Sequence, residues 1–246
     1  MSTKAPLRIA HASDIHLDTD YFGGEENLPS RDYCRGVFGN LLECIKAQAP
    51  QLLMLPGDLF DSNRASLETI LWAMEALAAL PFTVVMIPGN HDCLEPRGIF
   101  LEHDFARLPN VDMLLSPQGE SRDFPELQAF VWGKGMEDHC PEYRPLEGLP
   151  DPRADRWNLA MGHGIYVGNE GNRYRSSPVE KSQIANSGYD YIALGHHHAL
   201  LNVSQNGTAA FYCGAPIPIS KESQGTFLTV QLQEGQAPDV TIHNLD

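Results

Sequence analysis

Short apolar runs alternate with longer amphipathic segments through the first third of the chain. Mostly aliphatic runs lie at 7–12, 51–55 and 82–87, each of a length typical of a buried strand. Between them, apolar residues in 31–47 and 66–80 recur at the spacing of an amphipathic helix. Strand, helix, strand, helix, strand is the order of parallel βαβ units, so the pattern predicts an α/β fold with right-handed crossovers.

The two predicted helices have recognisable boundaries. Pro50 stops the first helix, and Ser66 is a candidate N-cap for the second. His11, inside the first strand, is predicted to be a core histidine rather than a ligand. The residues predicted to form the buried stripes are Val37, Phe38, Leu41, Leu42 and Ile45 in the first helix, and Leu67, Ile70, Leu71, Met74 and Leu77 in the second.

The remainder of the chain is less regular and is predicted to be rich in strands. Residues 137–155 contain many Pro and Gly residues and predict an irregular connection. Further strands are predicted near 111–115, 128–132, 158–161 and 190–194, and antiparallel strands at 210–213, 226–232 and 240–243. No repeat, low-complexity tract or linker divides the sequence, so residues 1–246 are expected to form a single domain.

The charge balance restricts the choice of partner. Lys and Arg number 17 and Asp and Glu 32, which gives a formal charge of −15. Such a surface is generally unfavourable for nucleic acid, because sequence-independent affinity comes from cations that meet phosphates. A polyanionic substrate would therefore need a local positive field.

Cysteine usage and the amino terminus favour a cytoplasmic protein. The 5 cysteines are scattered without a Cys-x-x-Cys pair, which is typical of free thiols in a reducing compartment. Residues 1–6 contain no apolar signal region, and no stretch approaches the length of a membrane span. Neither secretion nor contact with a membrane is expected.

Polar residues close several of the predicted strands. Gly89-Asn90-His91-Asp92 follows the strand at 82–87, and ligands of open α/β sheets bind at the carboxyl ends of strands. An isolated motif of this kind is equally well explained as an Asn/Asp-rich turn. The motif is not isolated, because similar residues follow four other strands. The resulting set is Asp14, His16, Asp58, Asn90, His163, His196 and His198.

This set has the composition of a metal centre. Two carboxylates, one amide and four imidazoles suit borderline divalent ions, with manganese preferred here and iron or zinc as alternatives. The absence of cysteine argues against a structural zinc site. Seven ligands are too many for one ion but suit two ions that share a carboxylate, an arrangement used in phosphoryl displacement. If 195–198 is extended, alternation directs His197 away from the metals.

Five ordered motifs resemble those of a known family. They are Asp14-x-His16, Gly57-Asp58-x-x-Asp61, Gly89-Asn90-His91-Asp92, Gly162-His163 and Gly195-His196-x-His198. Together they resemble the calcineurin-like metallophosphoesterase superfamily, and the segments at 12–17, 56–62, 191–196 and 212–218 are most similar to SbcD-like DNA repair nucleases. The likeness covers residues 7–220 and implies a four-layer αββα sandwich.

The resemblance also implies individual roles. Asp14, His16 and His198 would hold one ion, and Asn90, His163 and His196 the other. Asp58 would bridge the two ions, and His91 would donate a proton to the leaving oxygen. Asp61 and Asp92 fit either as supports for the ligands or as ordinary turn and capping residues.

Two features depart from the nuclease pattern. SbcD-like nucleases usually continue into a DNA-capping domain and a segment that docks an ATPase, whereas this sequence ends at Asp246, so an ATPase partner is not expected. The second departure is the negative charge. Against it, four arginines follow site motifs and, if their loops converge, would form a rim that grips phosphate: Arg64, Arg97, Arg173 and Arg175.

The sequence therefore predicts a two-metal phosphodiesterase. A phosphate-ester substrate is expected, and DNA is the substrate that the resemblance favours. An enzyme acting on a small phosphodiester or phosphomonoester is the alternative, since it agrees better with the charge and the absent cap. A scaffold of the same fold without catalysis, as in one retromer subunit, is a third hypothesis. The complete ligand set with His91 argues against it.

Overall fold

The computed structural model describes residues 4–19, 30–168, 175–217 and 225–245. Its helices are α1 (Ser30–Ala47), α2 (Leu67–Ala78), α3 (Ile99–Glu102) and α4 (Lys181–Ala185). The strands of its first half are β1 (Leu7–His11), β2 (Leu52–Pro56), β3 (Thr83–Ile87), β4 (Val111–Met113), β5 (Glu120–Phe124) and β6 (Ala129–Gly133). Those of its second half are β7 (Trp157–His163), β8 (Ile165–Gly168), β9 (Pro178–Glu180), β10 (Tyr191–Gly195), β11 (Leu200–Asn202), β12 (Ala209–Cys213), β13 (Thr226–Leu232) and β14 (Asp239–Asn244).

The strands form two six-stranded sheets and a small β8–β9 pair. The first sheet has the order β14-β13-β1-β2-β3-β4, and β1 to β4 run parallel, as the alternation with helices predicted. The second has the order β11-β12-β10-β7-β6-β5, with β6, β7, β10 and β12 parallel. Since β1, β2, β3, β7 and β10 all belong to parallel cores, each presents its carboxyl end where ligands are expected.

The tail strands were only partly predicted. β13 and β14 are antiparallel members of the first sheet, as expected. The strand predicted at 210–213 is β12, which joins the second sheet and runs parallel to β10, antiparallel only to β11. The apolar pattern of a strand reports its burial and not its pairing partner, so sequence reasoning placed it wrongly. It also missed β5, whose residues Glu120–Phe124 are mostly polar and half-exposed.

Alternation along the strands separates three apolar layers. In β2, Leu53 and Leu55 face α1 and α2, whereas Leu52 and Met54 face the second sheet. On the outer side of the second sheet, Ile192 and other residues pack against α4 and neighbouring loops. The predicted four-layer αββα arrangement is confirmed, although α4 is the only helix of the outer fourth layer among the described residues.

Helix α2 is rotated relative to the prediction. Ser66 caps it as expected and accepts the Thr69 backbone N–H at 3.3 Å. Leu67 and Leu71, predicted to be buried, are 57% and 48% exposed. The helix instead buries Thr69, whose hydroxyl donates to Asp18 Oδ1 at 2.8 Å. A tertiary hydrogen bond therefore selects the buried face, and periodicity alone could not reveal it.

No helix within the described ranges combines the length and apolar character that crossing a membrane requires.

His11 is a buried core histidine, as predicted. It is 0% exposed, and its Nδ1 lies 2.8 Å from the Tyr191 hydroxyl. Burial lowers the pKa of His11 to about 3 from its ordinary value of 6.5, despite an opposing hydrogen bond with Leu194. Between these values the unfolded chain binds a proton that the folded protein does not, so stability falls as the pH falls below 6.5.

Replacing His11 with glutamine is expected to flatten the acid side of the stability profile. Between pH 7 and pH 5 the parent should lose about 2 kcal/mol of unfolding free energy to this one group, and the variant should not lose it. Urea denaturation in a chelating buffer, with both proteins free of metal, measures the difference. Parallel pH profiles for His11→Gln and the parent would contradict this role.

Candidate metal centre

Three glycines allow close approach of the loops at the strand ends, two of them between the sheets and one between neighbouring strands of the first sheet. A Cβ on Gly89 would collide with Asp58 Oδ1, and one on Gly195 would collide with the Pro56 carbonyl oxygen. Gly57 has a φ of +93°, and a Cβ there would collide with His163 Nδ1. The missing side chains therefore let the end of β2 lie against those of β7 and β10, and let the turn after β3 lie against Asp58.

Four of the seven predicted ligands have left-handed backbone conformations. Their φ values are 56° for Asp14, 52° for His16, 54° for Asp58 and 96° for His196. Such residues are strained by about 1–3 kcal/mol each and persist only where the surroundings hold them. Here Ile15 and His16 donate their backbone N–H groups to the Asp58 carbonyl oxygen at 2.8 and 3.1 Å. Strain of this kind is typical of functional sites.

Asp58 lies between two groups of ligand atoms. Its Oδ2 is 3.2 Å from His163 Nε2 and 3.8 Å from His16 Nε2. The ligand atoms of Asp14, His16 and His198 lie within 4.8 Å of one another, as do those of Asp14, Asp58 and His163. The geometry thus brings the carboxylates and histidines predicted from different strands into one cluster.

Asn90 joins the remaining two histidines. Its side-chain oxygen lies 3.0 Å from His163 Nε2 and 2.8 Å from His196 Nδ1. Neighbouring ligands about 2.1 Å from one ion in octahedral geometry are separated by roughly 3 Å. The hydrogen-bonded spacing around Asn90 therefore also matches that of atoms that share a cation.

His16 provides an independent test of whether the cluster fits a metal. Its Nε2 is buried and has no hydrogen-bond partner among the described residues, although it faces Asp58. A buried polar atom without a partner is costly and rare. A divalent ion coordinated by nitrogen and oxygen would satisfy it, so the residues present fit such an ion.

Two ligand rings are fixed through their other nitrogens. His163 Nδ1 donates to the Pro56 carbonyl oxygen at 2.8 Å, and His16 Nδ1 lies 3.0 Å from Asp61 Oδ1. In each case Nε2 is left facing the cluster, as in many metal sites. Asp92 has a different role, because it accepts the backbone N–H groups of Gly89 at 2.7 Å and Phe60 at 3.1 Å and braces the turn.

Electrostatics couple Asp58 to His163. Burial opposes charge on both groups, but the charges of His163, His16 and His91 hold the pKa of the Asp58 carboxyl well below its usual range. Burial likewise lowers the pKa of His163, yet Asp58 and Asp14 outweigh it and raise that pKa to about 9. In the metal-free chain a proton thus occupies His163 Nε2, where a cation would replace it. Burial lowers the pKa of His196 to about 3, which keeps that ligand neutral.

His91 stands at the edge of the cluster and remains accessible. Its Nδ1 donates to the Asp61 carbonyl oxygen at 2.7 Å, and its side chain is 39% exposed. Its ring lies 4.6 Å from that of His16. The ligand atoms of His16, Asp61 and His91 also lie within 4.8 Å of one another, so binding of a metal by His91 is an alternative to contact with substrate.

His197 is directed away from the proposed ligands His196 and His198, but strand alternation is not the cause. The φ of 96° at His196 shows that the segment is not extended, as sequence reasoning had assumed. The His197 ring packs edge-on against Tyr212, with 5.6 Å between ring centroids. A bend in the chain, rather than strand alternation, therefore directs the half-buried His197 towards Tyr212 of β12.

The sequence profile of the calcineurin-like phosphoesterase family matches residues 7–200. The chain belongs to this family. Membership supports a metal-dependent phosphoester hydrolase, and the family's use of divalent metals agrees with the cluster described above.

Two curated relatives are similar over most of the chain. One is the uncharacterised metallophosphoesterase YhaO of Bacillus subtilis, which is 29% identical over 226 residues, covering 85% of this chain and 52% of that protein. The other is the DNA double-strand break repair protein Mre11 of Methanopyrus kandleri, 26% identical over 246 residues, covering 93% and 51%. The chain spans about half the length of the curated relatives it matches.

Solved structures with the same fold include TT1561 of Thermus thermophilus. It has a TM-score of 0.61 at 10% identity, covering 98% of this chain and 100% of that one. At this identity the similarity supports the fold alone.

The predicted arginine rim is only partly described. Arg173 lies outside the described residues. Arg64, Arg97 and Arg175 are exposed, and no ion pair joins any of them to another described residue. Arg97 lines a cavity of about 220 Å³ together with Asn63 and His103.

Sequence reasoning missed one histidine beside the cluster. His139 lies in the connection after β6, and its ring is 4.9 Å from that of His196. No motif marks it. The one signal was its position in a loop that leaves the carboxyl end of a strand, the edge at which the other site residues lie.

Proposed function

We propose that the chain hydrolyses phosphodiester bonds with a centre of two divalent ions. The observation that carries this proposal is the position of the Asp58 carboxylate between His16 and His163. Asp14, His16 and His198 would hold one ion, Asn90, His163 and His196 the other, and Asp58 both. Manganese is our first choice because the ligands mix nitrogen and oxygen, with iron and zinc as alternatives.

The bound ions would supply Lewis acidity, polarising the phosphoryl oxygens and lowering the pKa of the attacking water. The chain itself arranges the remaining steps. The Asp61 carbonyl oxygen holds Nδ1 of His91, which leaves Nε2 as the nitrogen that exchanges a proton with the substrate. His91 then donates that proton to the leaving oxygen as the bond to phosphorus breaks.

DNA is the first substrate to test. The printed name of the Methanopyrus kandleri relative, a DNA double-strand break repair protein, supports it. The formal charge of −15 supports the second candidate, a small phosphodiester or phosphomonoester, because a small ligand meets less of the acidic surface. All 5 cysteines are free, which supports a reducing compartment such as the cytoplasm.

Metal analysis followed by a substrate panel tests the proposal. The protein is stripped with a chelator, reloaded with manganese, iron or zinc, and assayed on single-stranded DNA, double-stranded DNA, cyclic nucleotides and aryl phosphates. We expect close to two ions per chain and activity that the chelator removes and the metal restores. Metal-loaded protein that cleaves none of these substrates would contradict hydrolysis and favour a scaffold.

The exposed arginines distinguish the two substrate classes. If the substrate is an oligonucleotide, Arg97→Ala combined with Arg175→Ala should raise KM several-fold and reduce the slope of its salt dependence by about one for each lost phosphate contact. Arg107→Ala is the matched control, since Arg107 is an exposed arginine paired with Asp104. Equal salt slopes in all three proteins would exclude these arginines from substrate binding and favour a small substrate.

A further inference from the structure

His139 lies at one end of the row of histidine rings that lines the metal centre. Its ring is tilted by 41° against that of His196, at 4.9 Å between centroids. His196 in turn adjoins His163, with 5.3 Å between those rings. The position is half-buried, and no described residue gives Nε2 of His139 a hydrogen-bond partner. The ring therefore presents an unused polar atom next to a proposed ligand.

Ser177 holds this ring from its other side. The Ser177 hydroxyl lies 2.9 Å from His139 Nδ1. Ser177 is fully buried, and its own backbone N–H donates to the Cys140 carbonyl oxygen at 2.9 Å. Its carbonyl oxygen accepts the Ile165 N–H at 2.9 Å, and its φ is 49°, a conformation that only firm surroundings maintain. The anchor of His139 is therefore a rigid one.

The arrangement of His139 resembles that of His91, which adjoins the other proposed ligand group. His91 adjoins His16 of one proposed ligand group and is held through Nδ1 by the Asp61 carbonyl oxygen. His139 adjoins His196 of the other group and is held through Nδ1 by Ser177. Each ring is held through Nδ1 and so leaves Nε2 available beside a proposed ligand group.

We propose that His139 binds the substrate, its Nε2–H donating a hydrogen bond to a non-bridging phosphoryl oxygen beside the ligand group that contains His196, and that Ser177 positions it. The inference rests on the proposed function, because it assumes that a phosphoester occupies the centre. A serine hydroxyl that donates to Nδ1 keeps the proton on Nε2, as this role requires. A hydrogen bond from a fixed N–H to an anionic oxygen is a strong one.

The alternative is that His139 only packs against His196 and orients it. Three variants separate the two roles. His139→Phe keeps a ring beside His196 but removes the N–H, His139→Gln retains a donor, and Ser177→Ala removes the anchor. His243→Phe is the matched control, because His243 also stacks on a ring, that of Phe227 at 4.6 Å, and bonds a hydroxyl, that of Thr229 at 2.8 Å.

Two measurements are made on manganese-loaded protein with its metal content checked. Calorimetry gives the Kd of inorganic phosphate, and steady-state assays on bis(4-nitrophenyl) phosphate give kcat and KM. We expect His139→Phe to keep its metals and to weaken phosphate binding and raise KM roughly 10- to 100-fold, with a smaller change in kcat. His139→Gln should recover most of this loss, Ser177→Ala should lie between, and His243→Phe should match the parent.

The possible results separate the inference from the function on which it rests. Equal phosphate affinity in His139→Phe and the parent would overturn the inference, as would loss of metal from His139→Phe, which would make His139 a support for His196. A parent that binds metal and phosphate but hydrolyses nothing would overturn the proposed function. In that case weaker phosphate binding by His139→Phe would still uphold the assignment of His139.

Discussion

Replacing Asp58 with asparagine is expected to abolish turnover and to reduce the bound metal. The side chain faces His163 Nε2 at 3.2 Å and His16 Nε2 at 3.8 Å, so its charge is shared by both proposed ion positions. Asparagine keeps the shape and the oxygen that accepts the His91 backbone N–H at 2.9 Å, but it removes the charge. We expect kcat/KM to fall by several orders of magnitude, because a neutral amide binds dications far more weakly than the carboxylate that would be shared by both ions.

Asp58→Ala should lose the same activity and be less stable as well. Alanine also removes the oxygen that accepts the His91 backbone N–H, and leaving that donor without its acceptor typically costs about 1–3 kcal/mol. Thermal melting therefore distinguishes the two variants, and metal analysis with kinetics is carried out on Asp58→Asn. Asp155→Asn, at a carboxylate that is 75% exposed, is the control. Folded Asp58→Asn protein with normal metal content and normal turnover would remove Asp58 from the centre.

Replacing His91 with alanine should reduce activity according to the leaving group. A positioned general acid contributes about 10² to 10⁴-fold when the leaving oxygen needs a proton. A nitrophenolate leaves nearly unaided, whereas the alkoxide of a sugar does not. We therefore expect His91→Ala to keep its metals, to lose most of its activity on a nucleotide diester and to lose much less on an aryl ester.

The ratio of the two losses in kcat/KM measures the missing transition-state interaction, provided that metal occupancy is equal. The occupancy check is essential here, because the ligand atoms of His91, His16 and Asp61 are close enough to hold an ion themselves. Loss of metal from His91→Ala would identify His91 as a ligand or a support for one. Equal losses on both esters would exclude it as the acid.

Helices α1 and α2 and the parallel strands β1 to β3 were predictable because each has a strong local signal. The apolar run of β2 and the N-cap at Ser66 are each encoded by a few neighbouring residues. The structure has both where the sequence pattern predicted them. The exposed Leu67 and Leu71 show the limit of such reasoning, since the face that α2 buries depends on Asp18, about fifty residues earlier. The pairing of β12 with β10 likewise depends on contacts that no local pattern encodes.

The chemistry of the centre could be predicted for two reasons. Residue type sets the ligand atom that a side chain offers, and the carboxyl ends of parallel strands lie at the same edge of a sheet. Asp14, Asp58, Asn90 and His163 could therefore be named as candidates from sequence alone. The sequence could not show that these residues converge. Their convergence depends on the close backbone contacts that Gly57 and Gly89 permit and on the left-handed backbone conformations of Asp14 and Asp58.

The sequence by itself determined the α/β class, the alternation of strands and helices through residue 87 and the kinds of atoms available to a metal, since periodicity and residue chemistry are local properties. Only the tertiary structure decided which atoms meet. It aims Nε2 of His16 at Asp58 and brings His139 beside His196 on a loop anchored by Ser177. These contacts join residues from different strands and loops, and their distances are set by how two sheets pack, a property that no segment of sequence carries alone.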